Sequence, residues 1–484
     1  MVGRLHRQSS LFYVAFDKQA SLIKDDLLEP IDALLDDEEL VALVQQRLER
    51  RHPRSRTRGR RSISPDRLLR CCALKHIKGW SLRQLERELR ASLVYRRFTR
   101  FDQDAIPDFA TFSRAFAVLG DEGTRAIHDC IVQKARVERV VQGHKLRTDT
   151  TVVETNVHHP TDSALLDDGI HIVTRALKRI AAECVKGSVK FVDHTRAAKH
   201  RVLEIHRAAK TMTDANRERM KNSYGKLVAF TRHVVRHAEK VQSDLKRGGL
   251  HVVDKAKRIA IQAARIGHFL PLIKGVIAQT KARVFKGDNH FPGKILSLFE
   301  VHTQAIRKGK AHKPTEFGRL VQIDEVENGI VSSYDVKDGN PSDTTSWTPA
   351  ISQHKAIFGR APKMATADRG FFSAKNESTA RKSGVKRVAL PARGPLSKKR
   401  KKHQKQRWWR RLLRWRAGIE ARIGTLKHRF GMVRAHYKGD RGFKRHVGWS
   451  VIANNLVSIA RVGEKRKAEE KRKAEQHAQT KRAA

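Results

Sequence analysis

Segments with the pattern of β-strands lie on both sides of a long helical stretch, and this order constrains the fold more than any other feature of the chain. Residues 144–153 are rich in Thr and Val, which predicts a strand. From about 163 to 300, apolar residues recur every three or four positions, as in amphipathic helices. Two apolar runs then flank Asn328-Gly329, a dipeptide typical of hairpin turns. This order predicts an α/β core that a large all-α insertion interrupts.

Further elements of the predicted core follow the hairpin. Apolar patterns predict, in order, a helix, two short strands and two final helices: Thr345 to Phe358, Met364 to Ala367, Val385 to Leu390, about 408 to 430 and about 443 to 461. The first of these short strands leads directly into Asp368.

The residues before the first predicted strand favour helices. Residues 1–49 are mildly acidic and apolar, and they suit a helical cap or a dimerisation segment. Residues 50–61 hold seven arginines and no acid. Such a run fits a solvated linker and a phosphate-gripping arm equally well.

A helix-turn-helix outline follows the arginine run. Ser64 to Asp66 have the composition of a helix start, with Pro at the first helical position. Lys78 to Trp80 end that helix, and a second helix that carries Arg83 and Arg87 follows. A helix, a glycine turn and an Arg-rich helix are typical of a unit that binds DNA. We therefore expect this region to form a helical DNA-binding domain.

Five parts are predicted along the chain. They are a cap or dimerisation segment, a basic arm with a helical DNA-binding domain, an α/β domain in two pieces, an all-helical insertion and a charged C-terminal tail: 1–49, 50–140, 141–166 with 301–462, 167–300 and 463–484.

The balance of charge restricts the partners of this chain. Its 101 Lys and Arg against 50 Asp and Glu give a formal net charge of +51 at pH 7. Nucleic acid is the leading polyanionic partner, because Lys and Arg that neutralise phosphates release counterions. The absence of an apolar run of 18 residues excludes a membrane-spanning helix, and we expect no membrane partner.

The compartment is predicted from the N-terminus and the cysteines. The N-terminal residues lack the pattern of a secretory signal, so we expect a cytoplasmic protein. Four cysteines in 484 residues are too few for a disulfide framework, and the lack of CxxC spacing excludes a zinc module.

Three acids could form a metal site at the edge of the predicted sheet. If the strands that end at Asp149 and Asp368 are neighbours, their carboxylates project from adjacent strand ends, and Glu420 on a later helix could reach the same place. Carboxylates are the ligands that Mg²⁺ and Mn²⁺ prefer. Two such ions about 3.5–4 Å apart stabilise the attacking and leaving oxygens of a phosphoryl displacement. A single Asp at a strand end is nevertheless more often a surface or capping residue.

Other residues compete for these roles. Glu154, Asp162 and Asp324 could each take the place of Asp149, although the strand-like stretch favours Asp149. His158-His159 could suggest a metal pair, but adjacent side chains rarely chelate one ion.

Basic residues flank Glu420 on its predicted helix. Arg416 lies four residues before it and Lys427 seven after it, which places the three on one helix face. Arg416 and Lys427 could contact DNA phosphates near the site. The alternative is an ion-paired helix face, since Arg416 and Glu420 are an i,i+4 pair.

A strongly basic stretch precedes this helix. Residues 393–416 contain twelve Lys or Arg and no acid, and we expect Lys399, Arg400 and Lys401 among them to contact DNA. Trp408-Trp409 lies in the same stretch. Its favoured interpretation is a hydrophobic anchor for the helix, and the alternative is a stacking platform for an extruded base.

The spacing of these residues resembles a known signature. Arg-x3-Glu-x6-Lys, formed by Arg416, Glu420 and Lys427, is similar to the final signature of RNase-H-like DDE transposases from bacterial insertion sequences. Leu413 stands where the full signature has a tyrosine.

Further segments share this resemblance. Ala367 to Ser373 resemble the surroundings of the family's second catalytic aspartate, and Thr148 to Thr151 those of the first. Residues 79–98 and 107–114 are similar to the N-terminal domain of these transposases. The resemblance covers about 64–166 and 310–460.

The resemblance implies a fold and an activity. The fold would be an RNase-H-like catalytic core preceded by a helical, helix-turn-helix-like DNA-binding region. Asp149, Asp368 and Glu420 would hold two Mg²⁺ ions, with Mn²⁺ able to substitute. The protein would act on double-stranded DNA at element ends and target as a homodimer or higher oligomer near the nucleoid. The alternatives are a catalytically inactive DNA-binding derivative and a stand-alone nuclease.

Overall fold

The chain folds as two units in this computed structural model, which describes residues 25–57, 62–185, 187–211, 213–248, 256–307 and 314–483. One unit contains the described residues up to Asn156 together with those from 314 onward, and the other runs from Val157 to Arg307. The first unit therefore joins two separate parts of the sequence. The predictions made for residues 1–24 and 58–61 lie outside the described residues.

Six helices are described before the first strand: α1 (Leu28–Leu35), α2 (Glu38–Glu49), α3 (Pro65–Ile77), α4 (Leu82–Ala91), α5 (Leu93–Phe98) and α6 (Phe109–Val137). Helix α3 begins at Pro65, as predicted, and is buried along almost its whole length. Gly79, with a φ of +68°, makes the turn to α4. There Ser81 and Gln84 form a reciprocal capping box. The two helices and the glycine turn of the predicted outline are therefore present.

A mixed sheet forms the core of the first unit. Its described strands are β1 (Lys145–Thr155), β3 (Glu316–Glu325), β4 (Val331–Val336), β5 (Met364–Ala367), β6 (Arg387–Ala389) and β7 (Arg434–Ala435), whereas the short strand β2 (Gln304–Ile306) belongs to the residues of the second unit. Strands β4, β3, β1, β5 and β6 follow one another across the sheet, and β7 pairs with the far end of β1. Strand β3 is antiparallel to β1 and to β4. Strands β5 and β7 are parallel to β1, and β6 is parallel to β5.

The predicted hairpin joins β3 to β4. Asn328 and Gly329 have φ values of +57° and +76°, the left-handed conformation that makes this dipeptide favourable in tight turns. The Val326 amide donates to the Ile330 carbonyl at 2.9 Å and closes the turn. The hairpin prediction is confirmed.

Four helices make up most of the second unit: α7 (Asp162–Ala181), α8 (Thr195–Ala208), α9 (Asp214–Lys246) and α10 (Ala256–Lys286). They share a hydrophobic core in which Leu166, Leu227, Ile266 and Val276 have no exposed surface. The helical pattern from about 163 to 300 is therefore matched by helices.

Five helices complete the first unit: α11 (Asp343–Phe358), α12 (Ala374–Lys382), α13 (Lys398–Gln404), α14 (Arg407–His428) and α15 (Gly439–Ala483). Helix α11 lies on one face of the sheet, where His354 Nε2 is 3.0 Å from the Gly143 carbonyl. Helix α14 lies on the other face, where Arg147 donates to the Trp415 carbonyl. Helix α15 packs against α3 and α6 and places Asn455 against the backbone of Val331.

Strand β1 is longer than expected, which corrects one prediction about the site. The strand runs from Lys145 to Thr155, so Asp149 is its fifth residue and not its last. The reason is its antiparallel ladder with β3, which continues to the pair formed by Glu154 and Gly318.

The C-terminal tail continues the last helix. Helix α15 extends to Ala483, and its residues from 464 onward are exposed wherever their side chains are described. The charged C-terminal tail predicted from the sequence therefore continues α15 as a helix. Although α15 has 45 residues, neither it nor any other described helix is long and apolar enough to cross a membrane.

Candidate active site

Asp149 of β1 and Asp368, which directly follows β5, lie at the same level of two neighbouring parallel strands. In the pairing of β1 with β5, Thr148 lies opposite Ala367. Asp149 directly follows Thr148, and Asp368 directly follows Ala367. Both acids are half-buried. The metal-site hypothesis required these two strands to be neighbours, and they are.

The chain leaves the sheet directly after Asp368. The Asp368 carboxylate accepts a hydrogen bond from the Gly370 amide at 2.7 Å and caps a 3₁₀ helix over Arg369–Phe371. On the same side of β1, strand β7 begins its pairing only at Glu154. Between these two points no described strand borders β1, so Asp149 lies at an open edge of the sheet.

Helix α14 covers the sheet face to which Asp149 belongs. Side chains alternate along a strand, so Arg147 and Asp149 point to the same face. The Arg147 guanidinium stacks 4.6 Å from the centre of the Trp415 ring, besides donating to the Trp415 carbonyl. Glu420 lies on the same helix, directly after the buried Ile419.

The Glu420 carboxylate is exposed and weakly held. Its side chain is 69% exposed and forms an ion pair with Arg416 at 3.2 Å, whereas the preceding Ile419 is fully buried. Exposed i,i+4 pairs contribute about 0.3–0.5 kcal/mol. Little free energy therefore opposes a rotation of Glu420 toward a ligand.

The three acids are not drawn together into a closed cluster. Among the described residues, one trio of His, Cys, Asp or Glu has ligand atoms within 4.8 Å of one another, and it is Asp37, Glu39 and Cys130. That trio suits a metal poorly, because Lys134 already binds Asp37. In addition, burial, assisted by the neighbouring carboxylates, raises the pKa of the Cys130 thiol to about 12.

The donor chemistry of Asp149, Asp368 and Glu420 does fit a hard divalent cation. All the available ligand atoms are carboxylate oxygens, which Mg²⁺ and Mn²⁺ prefer. Two of the acids are level on adjacent chains, and the third can rotate at small cost. The set therefore suits a cation that keeps several of its own waters.

The competing acids are engaged elsewhere. Glu154 binds Arg434 at 2.7 Å, and the buried Asp162 accepts a hydrogen bond from Gln279 at 2.9 Å. Asp324 points to the sheet face opposite Asp149, where the Thr148 hydroxyl donates to it at 2.5 Å. Burial raises the pKa of Asp324 to about 6.

The histidine pair also has other neighbours. The Nε2 atom of His158 lies 3.6 Å from the carboxylate of Asp168. Both residues belong to the second unit. The acid that His158 contacts here, Asp168, is therefore not one of the three predicted metal ligands.

Sequence reasoning missed an acid at the open edge of the sheet. Asp343 begins α11 two residues before the predicted helix start, and its Oδ1 accepts a hydrogen bond from the Thr150 hydroxyl at 2.8 Å. Ser342-Asp343 has the composition of a helix start, and this signal could have extended the predicted helix back to Asp343. That signal predicts a cap and carries no information about a site.

A buried ion network fixes α14 on the sheet. Glu325 of β3 has no exposed surface and binds Arg147 at 2.6 Å and Arg422 of α14 at 3.3 Å. Arg422 also donates to Asn454 of α15 at 2.8 Å. The network joins two strands and two helices, and no sequence pattern indicated it.

The predicted DNA contacts of the N-terminal domain are exposed on α4. Arg83 stacks 4.6 Å from the centre of the Phe109 ring, and Arg87 pairs with Glu88 at 2.8 Å. Both arginine side chains remain exposed.

The basic stretch before α14 contains both exposed and engaged residues. Lys399 and Lys401 are exposed, whereas Arg400 binds Glu377 at 3.0 Å and stacks 4.5 Å from the centre of the Phe372 ring. Arg400 therefore has a structural partner of its own.

The two tryptophans differ in burial. Trp409 is 1% exposed and packs with Leu412 and Ala389, which is the environment of a hydrophobic anchor. Trp408 is half-buried, with the Arg387 guanidinium 5.6 Å from the centre of its ring.

Comparison with protein families gives two matches. Residues 16–117 match a transposase domain (DUF772), and residues 297–456 match a transposase DDE domain. Asp368 and Glu420 fall within the second match, whereas Asp149 lies outside both. Comparison with curated proteins and with solved structures gave no match.

Proposed function

We propose that this chain, which belongs to the insertion-sequence DDE transposases, binds the terminal inverted repeats of a mobile element and catalyses metal-dependent DNA cleavage and strand transfer. The observation that carries the proposal is the level placement of Asp149 and Asp368 on adjacent parallel chains, under the helix that bears Glu420. The net charge of +51 supports a nucleic-acid substrate.

The core is proposed to be RNase-H-like, with the second unit as an insertion in it. The support is the order of the sheet, in which β3 is antiparallel to its neighbours β4 and β1, and β5 and β6 follow parallel to β1. A second support is that β1 and β3 pair directly although Val157 to Arg307 lie between them in sequence.

Asp149, Asp368 and Glu420 are proposed to hold two divalent ions, Mg²⁺ or Mn²⁺. When bound, such ions polarise the scissile phosphate and stabilise the attacking and leaving oxygens. The protein itself would present carboxylates from two β-strands and one helix around the DNA strand that is cut. The same arrangement would serve both the hydrolysis at each element end and the attack of the freed 3′-hydroxyl on target DNA.

Basic residues are proposed to position the DNA. Arg416 and Lys427, on the helix that carries Glu420, would contact phosphates on either side of the scissile bond, since phosphate contacts fix register without reading sequence. Arg83 and Arg87 on α4 would act at the element ends. Lys399 to Lys401, with Trp408-Trp409 behind them, would contribute to the basic path toward the site.

The partners are double-stranded DNA and further copies of the chain. Transposition joins two ends of an element, so a homodimer or higher oligomer on DNA is proposed. We place the protein in the cytoplasm, associated with the nucleoid.

Cleavage of DNA that carries the element's ends tests this function. Asp149→Asn, Asp368→Asn and Glu420→Gln should each remove Mg²⁺-dependent cleavage while leaving binding to end DNA largely intact. Because the ligands act as a unit, double variants should be scarcely worse than single ones. Asp335→Asn is a matched control, since Asp335 is an exposed acid on β4 that pairs with Lys337 at 2.9 Å.

The products separate the three hypotheses. Joined products with target DNA support transposition, and cleavage without joining or end preference supports a stand-alone nuclease. Specific binding without cleavage by the wild type would indicate an inactive derivative. Full cleavage by any one of the three variants would remove that residue from the site.

A further inference from the structure

We propose that a basic groove between α9 and α10, in the second unit, is a further DNA-binding surface that holds the phosphate backbone of double-stranded DNA. The identity of the polyanion rests on the proposed function, and the inference gives the second unit a role of its own. Five cations line the basic groove, two from α9 and three from α10: Arg232, Arg236, Lys274, Lys281 and Lys286.

Two adjoining cavities form the basic groove. Their volumes are about 380 Å³ and 550 Å³, and Arg232 borders both of them. The part of α9 that lines the cavities runs from Gly225 to Arg236. An α-helix rises about 1.5 Å per residue, so this part is about 16 Å long. Each strand of duplex DNA carries one phosphate per about 3.4 Å of helix axis, so the basic groove is long enough for about four phosphates of one strand.

Most cations of the basic groove have no protein acid as a counterion. Among the described residues, no Asp or Glu lies within ion-pair distance of Arg232, Arg236, Lys281 or Lys286, whereas Lys274 pairs with an acid of α9 at 2.6 Å. Three of these four cations are exposed, and Lys281 is half-buried. Like charges gathered along one groove repel each other. Phosphates would relieve this repulsion, and the cations in turn would release counterions from the DNA.

Cations elsewhere in the second unit show that acids are available to pair with them. Val157–Arg307 contain 29 Lys and Arg against 13 Asp and Glu. Lys178 binds Asp193 at 2.6 Å, and Arg201 binds Glu204 at 2.6 Å. The basic groove has cations on both of its walls and an ion pair at Lys274 alone among its described cations. Such a distribution is expected of a surface whose negative charges come from a ligand.

Binding of the full-length protein to end DNA and to random duplex DNA at several salt concentrations tests this inference. The double variant Arg232→Ala/Lys281→Ala removes one cation from each wall of the basic groove. It should weaken both complexes by similar factors, because phosphate contacts carry no sequence information. It should also reduce the slope of log affinity against log salt by about two, one for each lost phosphate contact.

A second double variant controls for the loss of charge. Arg196→Ala/Lys199→Ala removes the same number of cations from the exposed surface of α8, and neither residue lines the basic groove. The salt slope of this variant should equal that of the wild type. Thermal unfolding without DNA should show that both double variants are folded.

Two substitutions of Gly225 test the basic groove without removing any native side chain. A Cβ atom on this residue would meet nothing within 4 Å, so a side chain can enter the open space. Lys and Glu both favour a helix more than glycine does, so neither substitution should prevent folding. Gly225→Lys should raise the affinity for DNA and increase the salt slope by about one, whereas Gly225→Glu should lower the affinity and the slope.

The outcomes distinguish this inference from the proposed function. Wild-type slopes for Arg232→Ala/Lys281→Ala and for both Gly225 variants would refute the basic groove as a DNA-binding surface, while cleavage of element ends by the wild type would still support the proposed function. An equal loss of slope in Arg196→Ala/Lys199→Ala would show that only the total charge matters, and this also refutes the inference. If the wild type binds no DNA, the proposed function and this inference fall together.

Discussion

Helix α14 packs over one glutamate and carries another, and the two are held in opposite ways. Glu325 has no exposed surface and binds two arginines, Arg147 and Arg422. Glu420 is 69% exposed and binds Arg416 within its own helix. The difference separates an acid that fixes the helix on the sheet from one that can exchange its partner for a ligand.

The same contrast recurs between two aspartates of the sheet. Asp324 is fully buried and accepts hydrogen bonds from Thr148 and Gln322. Asp149 is half-buried on the opposite face, at the open edge of β1. Asp324 is therefore closed off from solvent, whereas Asp149 is an acid that a ligand can reach.

Replacing Glu325 should give the largest loss of stability. Glu325→Gln removes the negative charge between two arginines, one of which is less than a tenth exposed. Breaking a buried ion pair by removing one partner costs about 3–5 kcal/mol, because the remaining charge stays buried. We expect a clearly lower urea midpoint, measured by circular dichroism.

Glu420→Gln is the matched control for this experiment. It removes an exposed pair on the same helix and should shift the urea midpoint very little. Equal midpoints for Glu325→Gln and Glu420→Gln would abolish the distinction between a structural and a functional acid.

Asp324 should give a smaller effect that depends on pH. Burial raises its pKa from 3.8 to about 6 in the folded protein, with the hydrogen bonds from Thr148 and Gln322 offsetting only part of the shift. A difference of this size corresponds to about 3 kcal/mol. The protonated form is favoured by folding, so this stability is present below pH 3.8 and lost as the pH rises through 6.

Urea unfolding at several pH values measures this contribution. Between pH 4 and 7 the wild type should lose stability relative to Asp324→Asn, whose side chain cannot ionise. Asp214→Asn should follow the wild type, because Asp214 is exposed on α9 in the other unit. Parallel curves for the wild type and Asp324→Asn would place Asp324 among the accessible acids instead.

The sequence predicted best those features that depend on local pattern. Apolar periodicity predicted the helices of the second unit, and Asn328-Gly329 predicted the hairpin, because a turn with two positive φ values favours that dipeptide. The adjacency of the strands bearing Asp149 and Asp368 was a hypothesis about pairing, and the register bears it out.

Features that depend on distant partners could not be predicted in the same way. The full length of β1 depends on its ladder with β3, and the burial of Glu325 depends on arginines from β1 and α14. Asp343 has the local pattern of a helix start, and only the fold brings it beside Gly370. The roles of the three predicted acids remain proposals: Asp149 and Asp368 lie level on adjacent strands, and Glu420 is an exposed residue of α14.

The smallest expected effect concerns Lys427, which lies on the same helix face as Glu420. If Lys427 contacts a phosphate, Lys427→Ala should weaken binding to specific and random DNA by similar factors. It should also reduce the slope of log affinity against log salt by about one. Cleavage should fall further than binding, because a displaced scissile phosphate loses its in-line geometry.

Lys355→Ala is a suitable control for this last measurement, because Lys355 is exposed on α11, on the opposite face of the sheet. Its salt slope should equal that of the wild type. The rival interpretation is that Lys427 only supports the helix through side-chain contacts. An exposed ion pair contributes about 0.3–0.5 kcal/mol, which would leave slope and cleavage nearly unchanged. If Lys427→Ala leaves both the salt slope and cleavage unchanged, Lys427 has a structural role on α14, as Glu325 has in its ion pairs with Arg147 and Arg422.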